Sequence, residues 1–460
     1  MKNIAPKHYF FVGIGGIGMQ ALADILLGLG CEITGSDIAE FPAKDRLISR
    51  KATVIIGKQV AENVPEDIDC LVYTSAILHH QGAHPEVEKA KELGVPIFKR
   101  SEFIGELMKD KNSIAVSGTH GKTTVSTMLT LMLQAGGLNP TALIGAEVKN
   151  LEGCGIWGTG EHMVVEACEY DRAFLDMNPK IAVLTSVEAD HLDYYEDIED
   201  IKGAFTEFLN KVPADGYSVV YGDDPNIQAI LSKIKGRVIT FGFREGNDFV
   251  IKNINYKDQQ MHFEADGIKT YMNFPGKHLV LDAVAALIVA KKLGVSDSAI
   301  KQVLEKDYKG ADRRFEMLGT FKGVVFVDDY GHHPTEVKMV LSAVKDFFPN
   351  RRLLVVFQPH QFSRTKLLLA GFAKSFVDAD KVFLAPILAV RDSEEDKKSI
   401  NNTVLAEEIN KVSANSKAFE SFGEITEVIK SELKDGDVLI SLGAGKNSEW
   451  IRELILEFKQ

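Results

Sequence analysis

The sequence predicts an α/β protein built of three successive domains. Its 460 residues exceed what a single core usually organises, since one domain takes roughly 150 residues. Short apolar segments of strand length alternate with helix-period segments along the whole chain, a pattern typical of mostly parallel sheets covered by helices. The alternation starts afresh twice, which predicts domains at residues 1–108, 109–310 and 311–460.

Composition argues against several classes of protein. Apolar residues make up 45% and charged residues 26% of the chain, with no run of about 18 apolar residues that could cross a bilayer. The net charge of −12 argues against nucleic acid as a partner. We expect no membrane association and no export signal. The four cysteines lack metal-binding spacing, which predicts reduced thiols in a cytoplasmic protein.

The first domain opens with an apolar strand, YFFVGIG, that runs into a glycine-rich turn, GIGGIGM. A helix-period segment follows the turn, and Asp37 closes the next strand. Such a turn at a helix N-terminus binds pyrophosphate groups, which is typical of a Rossmann-like domain. On its own, the turn is explained by binding of a dinucleotide, by binding of a nucleotide sugar, or by a purely structural role in the backbone, so all three interpretations stay open.

The second domain opens on IAVSGTHGKTTVSTML. The full phosphate-binding pattern GxxxxGK[ST] fails at Val116, but Gly118 and Gly121 still allow backbone N–H groups to face phosphate oxygens. Lys122 adds a positive charge, and Thr123 adds an oxygen for magnesium. Because a strand precedes the loop and a helix-period segment follows it, we predict a P-loop ATPase-like domain.

Acidic residues and a histidine follow two further strands of this domain, in VVEACEYD and VEADHLDYY. The carboxyl ends of parallel strands face the ligand crevice of a sheet. We therefore predict that Glu166 and His191 reach a metal ion beside the phosphates. The other acids of these segments serve either as further ligands or as helix caps.

The third domain carries DDYGHHPTE after a strand. Pro334 is typical of the first turn of a helix, and apolar residues recur behind it at helical spacing. This predicts that Asp328, Asp329, His332 and His333 lie on an exposed turn. Polar groups collected in this way indicate a binding site.

Arginines mark two more segments of the third domain. FQPHQFSRT ends a strand with His360 and Arg364, and ADRRFE places Arg313 and Arg314 at the joint with the second domain. Guanidinium groups recognise phosphate or carboxylate through paired hydrogen bonds. These segments therefore predict a second set of ligand contacts, although a solvated surface would explain each arginine as well.

Six segments, GIGGIGM, GTHGKTT, EADHLDYY, RRFE, DDYGHHPTE and FQPHQFSRT, in this order and spacing resemble the Mur ligase family, from about residue 8 to about residue 445. The resemblance implies a first domain that binds a UDP-sugar, a central ATPase domain, and a Rossmann-like C-terminal domain that closes with the amino acid. The alanine-adding branch is the most similar. It implies that ATP and Mg²⁺ drive the joining of L-alanine to the lactyl carboxylate of UDP-N-acetylmuramate through an acyl phosphate, in a monomer or weak homodimer.

The resemblance also assigns roles to single residues. Catalytic roles fall on Lys122, His191, His360 and Arg364, and the implied metal ligands are Thr123, Glu166 and His191. Contacts to ATP are implied for Gly118, Thr119, Gly121, Lys122, Thr123, Thr124, His278, Asp282, Arg314 and Asp328. Contacts to the sugar nucleotide are implied for Gly13, Gly15, Gly16, Gly18, Ser36, Asp37, Ser75 and His333.

The sequence departs from the family pattern at a few of these positions. The adenine segment GxHNxxNA appears as GKHLVLDA, with Leu279 and Asp282 in place of asparagines. Asparagine both donates and accepts hydrogen bonds, whereas an ionised aspartate only accepts. Gln361 stands where many relatives carry arginine, so a differently tuned amino-acid pocket is expected.

Three other functions stay open on the sequence alone. A recycling ligase that attaches a ready-made tripeptide to the same sugar nucleotide shares the fold. A nicotinamide-dependent dehydrogenase would explain the first glycine turn and Asp37, but it leaves GTHGKTT unexplained. A binding protein that has lost turnover would fit the altered adenine segment.

Overall fold

The computed structural model shows three α/β units in succession, each built on its own main sheet, which confirms the predicted fold class. Within the described part of the chain, no helix combines the length and apolar character needed to cross a bilayer. The structure describes residues 7–79, 83–148, 150–151, 153–390, 392–413 and 415–459.

The first unit is a five-stranded parallel sheet with helices packed against it. Its strands are His8–Val12 (β1), Glu32–Asp37 (β2), Thr53–Ile56 (β3), Cys70–Tyr73 (β4) and Ile97–Lys99 (β5), and its helices are Ile17–Gly28 (α1), Lys44–Ser49 (α2), Pro85–Glu92 (α3) and Arg100–Met108 (α4). The strand order is β3-β2-β1-β4-β5. All side chains of β1 are buried, because a central parallel strand is covered on both faces. The connection reverses between β1 and β4, and ligand crevices open at such a point.

The second unit combines an eight-stranded sheet with a small antiparallel one. The large sheet contains Asn112–Ser117 (β6), Thr141–Val148 (β7), Gly153–Ile156 (β8), His162–Glu166 (β9), Ile181–Leu184 (β10), Tyr217–Tyr221 (β11), Val238–Gly242 (β12) and Phe249–Val250 (β13). Its order is β13-β12-β11-β10-β6-β9-β7-β8, and it is parallel except where β7 meets β8. The helices are Lys122–Ala135 (α5), Ile198–Leu209 (α6), Pro225–Ile230 (α7), Lys277–Lys292 (α8) and Asp297–Gln302 (α9). The strand before the phosphate loop, β6, therefore lies inside the sheet.

The small antiparallel sheet is an element that the sequence analysis did not predict. It consists of Lys252–Lys257 (β14), Gln260–Ala265 (β15) and Ile268–Met272 (β16). In β15 the buried residues Met261, Phe263 and Ala265 alternate with half-buried ones. Such alternation belongs to a sheet with one covered face, and it is a weaker sequence signal than the continuous apolar runs of the parallel strands.

The third unit is a six-stranded sheet that is parallel except for one edge strand. Its strands are Glu316–Phe321 (β17), Val324–Asp329 (β18), Leu353–Phe357 (β19), Lys381–Leu384 (β20), Asn415–Ala418 (β21) and Val438–Leu442 (β22), in the order β17-β18-β22-β19-β20-β21. The helices are Pro334–Phe347 (α10), Phe362–Leu367 (α11), Leu369–Ser375 (α12), Glu394–Ser399 (α13), Asn402–Val412 (α14), Phe422–Glu432 (α15) and Asn447–Lys459 (α16). Both α10 and α11 follow strand ends and reach toward the second unit.

The first and second units meet along α1 and β8. The two elements are close at the backbone, since a Cβ atom built on Gly155 would lie 2.0 Å from the carbonyl oxygen of Ala21. Beside this contact, the fully buried Asp24 carboxylate accepts hydrogen bonds from Arg46 at 2.5 Å and from Arg50 at 2.7 Å. The joint is therefore closely packed and charge-paired.

We expect Gly155→Ala to lower the free energy of unfolding by about 1–3 kcal/mol, because the added methyl group overlaps a backbone atom that has little room to move. Denaturant unfolding measures the loss. The matched control is Gly203→Ala in α6, where an added Cβ has no neighbour within 4 Å and alanine favours the helix. Equal stability of the two variants would contradict the close contact of α1 with β8.

Candidate active site

The phosphate loop joins the end of β6 to the start of α5, in the strand-loop-helix context that the sequence predicts. Gly118 and Gly121 have φ values of 137° and 81°, a backbone conformation that favours glycine. A Cβ atom on Gly121 would lie only 2.3 Å from a carboxylate oxygen of Asp282. Thr119 supports the loop, since its hydroxyl accepts a hydrogen bond from the backbone N–H of Glu188 at 2.9 Å.

Lys122 folds back over this loop. Its Nζ donates to the backbone carbonyl oxygens of Gly118 and Thr119 at 2.5 and 3.1 Å, and to Oε1 of Glu169 at 3.0 Å. Burial lowers the pKa of Lys122, but Glu169 and other nearby acids outweigh that effect and raise the pKa overall. The ammonium group is therefore charged and lies against the loop backbone.

Donors suited to a metal ion surround the start of α5. Thr123 and Thr124 are buried at the helix start, and Glu166 at the end of β9 accepts a hydrogen bond from a backbone N–H of β7 at 2.7 Å. His191 Nε2 lies 3.8 Å from Oε1 of Glu169, and both carboxylate oxygens of Glu169 lie 3.0 Å from Lys122 Nζ. Mg²⁺ prefers oxygen ligands, so the Thr123 hydroxyl and the Glu166 carboxylate fit a magnesium site, and His191 would add a nitrogen beside them. The sequence analysis left Glu169 open between ligand and cap; its position three residues after Glu166 was the available signal.

Three residues with implied contacts to ATP lie around the same loop. Asp282 touches Gly121, and burial raises its pKa to about 8 despite the nearby Arg314. Burial also lowers the pKa of His278 to about 4. The Arg314 guanidinium stacks over the Tyr330 ring at 5.1 Å. The loop therefore faces a buried carboxyl group, a neutral imidazole and a cation.

We expect the stability of the protein to fall as pH rises through the Asp282 range. The folded-state pKa of about 8 lies above the unfolded value of about 3.9, so the protonated carboxyl stabilises the fold at low pH and this contribution is lost toward pH 8. Asp282→Asn lacks this titration. Its unfolding free energy relative to the unmodified protein should increase between pH 5 and pH 9, measured by parallel denaturant unfolding; a constant difference would contradict the raised pKa.

The segment before α10 is buried rather than exposed as expected. Asp328, Asp329 and His333 are 0%, 4% and 5% exposed. Asp328 and Asp329 are buried by contacts within the third unit, whereas beside His333 the Thr335 hydroxyl donates to Glu188 of the second unit at 2.6 Å. His333 remains near the site, but as a buried residue between two units.

Asp328 is not brought to the phosphate loop. Its carboxylate accepts a hydrogen bond from Ser448 at 2.5 Å and lies 3.9 Å from Arg313, inside the third unit. Successive residues of a strand point to opposite faces, so Asp329 instead lies on the side of Arg314. Burial raises the pKa of Asp329 to about 6, although the nearby Arg314 opposes this effect. The implied contact between Asp328 and the nucleotide stays a prediction, and in this structure the carboxylate is engaged inside the third unit.

A charged contact joins the second and third units at α11. Arg364 donates through Nε and Nη2 to one carboxylate oxygen of Asp190 at 3.1 and 2.7 Å, and Arg364 Nη1 lies 2.8 Å from His360 Nδ1. Burial opposes ionisation of Asp190, but His191 and Arg364 hold its pKa well below the usual range. A small cleft beside this pair is lined by His191, Arg364 and Gln361 among others. The sequence analysis did not identify Asp190 as the partner of Arg364.

The glycine turn of the first unit has its own polar setting. Gly13 follows β1 with a φ of 79°, Gly16 precedes α1, and Asp37 accepts a hydrogen bond from Gly15 N at 2.8 Å. A Cβ atom on Gly18 would meet the Arg100 guanidinium. Ser75 lies in the short helical turn after β4, beside Thr74, whose methyl group faces Gly13.

Residues missed by the sequence analysis support Ser36 behind this turn. The Ser36 hydroxyl donates to the buried Glu86 carboxylate at 2.7 Å and accepts from Gln59 at 2.9 Å. Asn63 donates to the other Glu86 oxygen at 2.8 Å. Nothing in the local sequence of α3 marks Glu86 for this position, because the contact spans 50 residues.

The fold and the site define a nucleotide-binding protein of three α/β units, in which a P-loop of the second unit is covered by charged groups of the third. Three family models match in chain order: the Mur ligase family catalytic domain at residues 8–112, the Mur ligase middle domain at 116–290, and the Mur ligase glutamate ligase domain at 313–445. The chain belongs to the Mur ligase family.

Named relatives are similar over nearly the whole chain. The UDP-N-acetylmuramate–L-alanine ligase of Clostridium kluyveri is 40% identical over 449 residues, which cover 96% of each chain. The ligase of the same name from Clostridium novyi is 40% identical over 459 residues and 98% of each chain. Among solved structures, the UDP-N-acetylmuramate-alanine ligase MurC of Thermotoga maritima shares the fold, with a TM-score of 0.80, 24% identity, and coverage of 98% of this chain and 99% of that one.

Proposed function

We propose that this protein is an ATP-dependent ligase that joins L-alanine to the lactyl carboxylate of UDP-N-acetylmuramate, a step of peptidoglycan precursor synthesis. The observation that carries the proposal is the 40% identity to ligases of that name over 96% of both chains. The domains would divide at 1–108 for the sugar nucleotide, 109–310 for ATP and 311–460 for the amino acid. We further propose a cytoplasmic monomer or weak homodimer.

The phosphate loop would carry the first half of the reaction. Phosphoryl transfer needs positioning and charge neutralisation more than covalent help from the protein. Lys122 would release its loop carbonyls and bind the transferred group, and Thr123, Glu166 and His191 would hold Mg²⁺. The bound metal would neutralise phosphate charge. The lactyl carboxylate, held by the first unit, would attack the γ-phosphorus of ATP, so that an acyl phosphate forms and ADP leaves.

The contact between the second and third units would carry the second half. Arg364 lies beside His191 at the cleft, where a guanidinium suits an amino-acid carboxylate. The amino-acid carboxylate would either displace Asp190 from Arg364 or bind the same guanidinium together with Asp190. The alanine amine would then face the acyl phosphate near His191, and its attack would form the amide and release phosphate.

Phosphate release with UDP-N-acetylmuramate, ATP and a panel of amine acceptors tests the proposal. We expect release to require all three partners and to be fastest with L-alanine. A control without the sugar nucleotide measures ATP hydrolysis that is not coupled to ligation. Release only with the tripeptide would identify the recycling ligase instead, and no release with any acceptor would support a binding protein.

A further inference from the structure

Two histidines and a glutamate converge where the second unit meets the third. His120 comes from the phosphate loop, Glu188 from the segment after β10, and His333 from the turn before α10. One ligand atom from each of the three lies within 4.8 Å of the others. This group is separate from the proposed magnesium ligands, none of which belongs to it.

Two of the three separations match those of ligands around one small cation, and the third is at most 4.8 Å. His120 Nε2 lies 3.5 Å and His333 Nδ1 lies 3.4 Å from the same oxygen, Oε2 of Glu188. In tetrahedral zinc sites the metal bonds measure about 2.0–2.2 Å, which places neighbouring ligand atoms roughly 3.4 Å apart. A zinc ion between these atoms would take the place of the hydrogen bond that His333 Nδ1 accepts from the backbone N–H of Thr335 at 3.3 Å.

Outer contacts orient the ligands as they do in known zinc sites. Metal-binding histidines usually direct their second ring nitrogen at a carboxylate, and ligating carboxylates accept further hydrogen bonds. His120 Nδ1 lies 3.1 Å from Oε1 of Glu336, and Thr335 donates to Oε2 of Glu188 at 2.6 Å. Both ring nitrogens of His120 and Nε2 of His333 are buried without a hydrogen bond of good geometry.

The donor set selects the metal. Two imidazoles and one carboxylate suit zinc and similar transition metals, whereas Mg²⁺ prefers oxygen donors and keeps several of its waters. Two carboxylates, Glu188 and Glu336, surround the His120 ring, so the pocket favours positive charge.

We propose that His120, Glu188 and His333 form a binding site for Zn²⁺ or a chemically similar divalent cation that joins the second unit to the third. A fourth position is left for water. Because two ligands belong to one unit and the third to the other, the bound ion holds the two units together over the phosphate loop. The three side chains lie together in this structure whether or not the chain acts as the proposed ligase.

Zinc binding to the full chain tests the proposal. In calorimetric titration with ZnCl₂, we expect His120→Asn and His333→Asn each to bind one zinc ion fewer per chain than the unmodified protein. The control His262→Asn, which changes a histidine of the small antiparallel sheet, should bind as much zinc as the unmodified protein. A crystal soaked with zinc should show an anomalous peak between the three side chains. Unfolding in chelator checks that all variants fold.

A second measurement separates this site from zinc held at His191. His191→Asn should still bind the one zinc equivalent that is assigned to His120 and His333. In small-angle scattering, zinc should narrow the distribution of interatomic distances in His191→Asn but not in His333→Asn. Unchanged zinc stoichiometry in His120→Asn and His333→Asn, or an anomalous peak only at His191, would overturn the proposal.

Discussion

Lys122→Ala should reduce ATP-dependent phosphate release by about 1,000-fold while binding of UDP-N-acetylmuramate stays within about twofold. One preorganised charge at a transferred group contributes on this scale in enzymes that act by electrostatic stabilisation. Lys122 is the cation that contacts the loop carbonyls of Gly118 and Thr119, so its loss leaves the loop without its positive charge. Steady-state phosphate release measures the first quantity, and calorimetry with the sugar nucleotide measures the second.

The control for this substitution is Lys411→Ala. Lys411 lies on α14, its side chain is 65% exposed, and its ion pair with Glu408 is a surface contact of small energetic value. We expect unchanged phosphate release. If Lys122→Ala weakened sugar-nucleotide binding as much as phosphate release, the assignment of the two ligands to different units would be wrong.

The second large effect is expected from Arg364→Met. Removing one partner of a buried ion pair leaves the other charge unpaired, at a cost of about 3–5 kcal/mol. Asp190 is that partner, and both side chains are more than nine-tenths buried. We expect a drop of at least about 100-fold in kcat/KM for L-alanine, with a much smaller change in the KM for ATP. Initial rates at varied L-alanine and at varied ATP separate the two effects.

The double variant Arg364→Met with Asp190→Asn distinguishes stability from substrate recognition. Neutralising Asp190 should restore much of the lost stability in denaturant unfolding, because no unpaired charge remains. The low kcat/KM for L-alanine should persist, since the guanidinium is still missing. Recovery of activity together with stability would show that Arg364 acts only as a structural partner of Asp190.

Much of the fold could be predicted because its signals are local. The strand before the phosphate loop is apolar on both faces, the glycines permit the loop backbone, and helix-period residues follow Lys122 within one segment. Parallel strands between helices produce this pattern wherever they occur. The antiparallel sheet of β14–β16 was missed because its alternating pattern is short and weak.

The site could be predicted only in part, because its decisive contacts cross the chain. Gly118, Lys122, Glu166 and His191 follow strand ends of one sheet, so their proximity was predictable from topology. The partnership of Asp190 with Arg364 spans 174 residues, and no local pattern announces it. The contact of Asp328 with the nucleotide stays a prediction, because motif matching does not tell which of two neighbouring strand residues faces the ligand.

The position of Lys122 has a consequence for how the protein treats small anions. In this structure its ammonium group already holds two carbonyl oxygens and a carboxylate, so an arriving ligand must displace those partners. We expect a metal-bound triphosphate, which contacts several groups at once, to displace them more readily than inorganic phosphate does. The partners of Lys122 would then favour binding of the complete nucleotide at this loop over binding of the phosphate that the reaction releases.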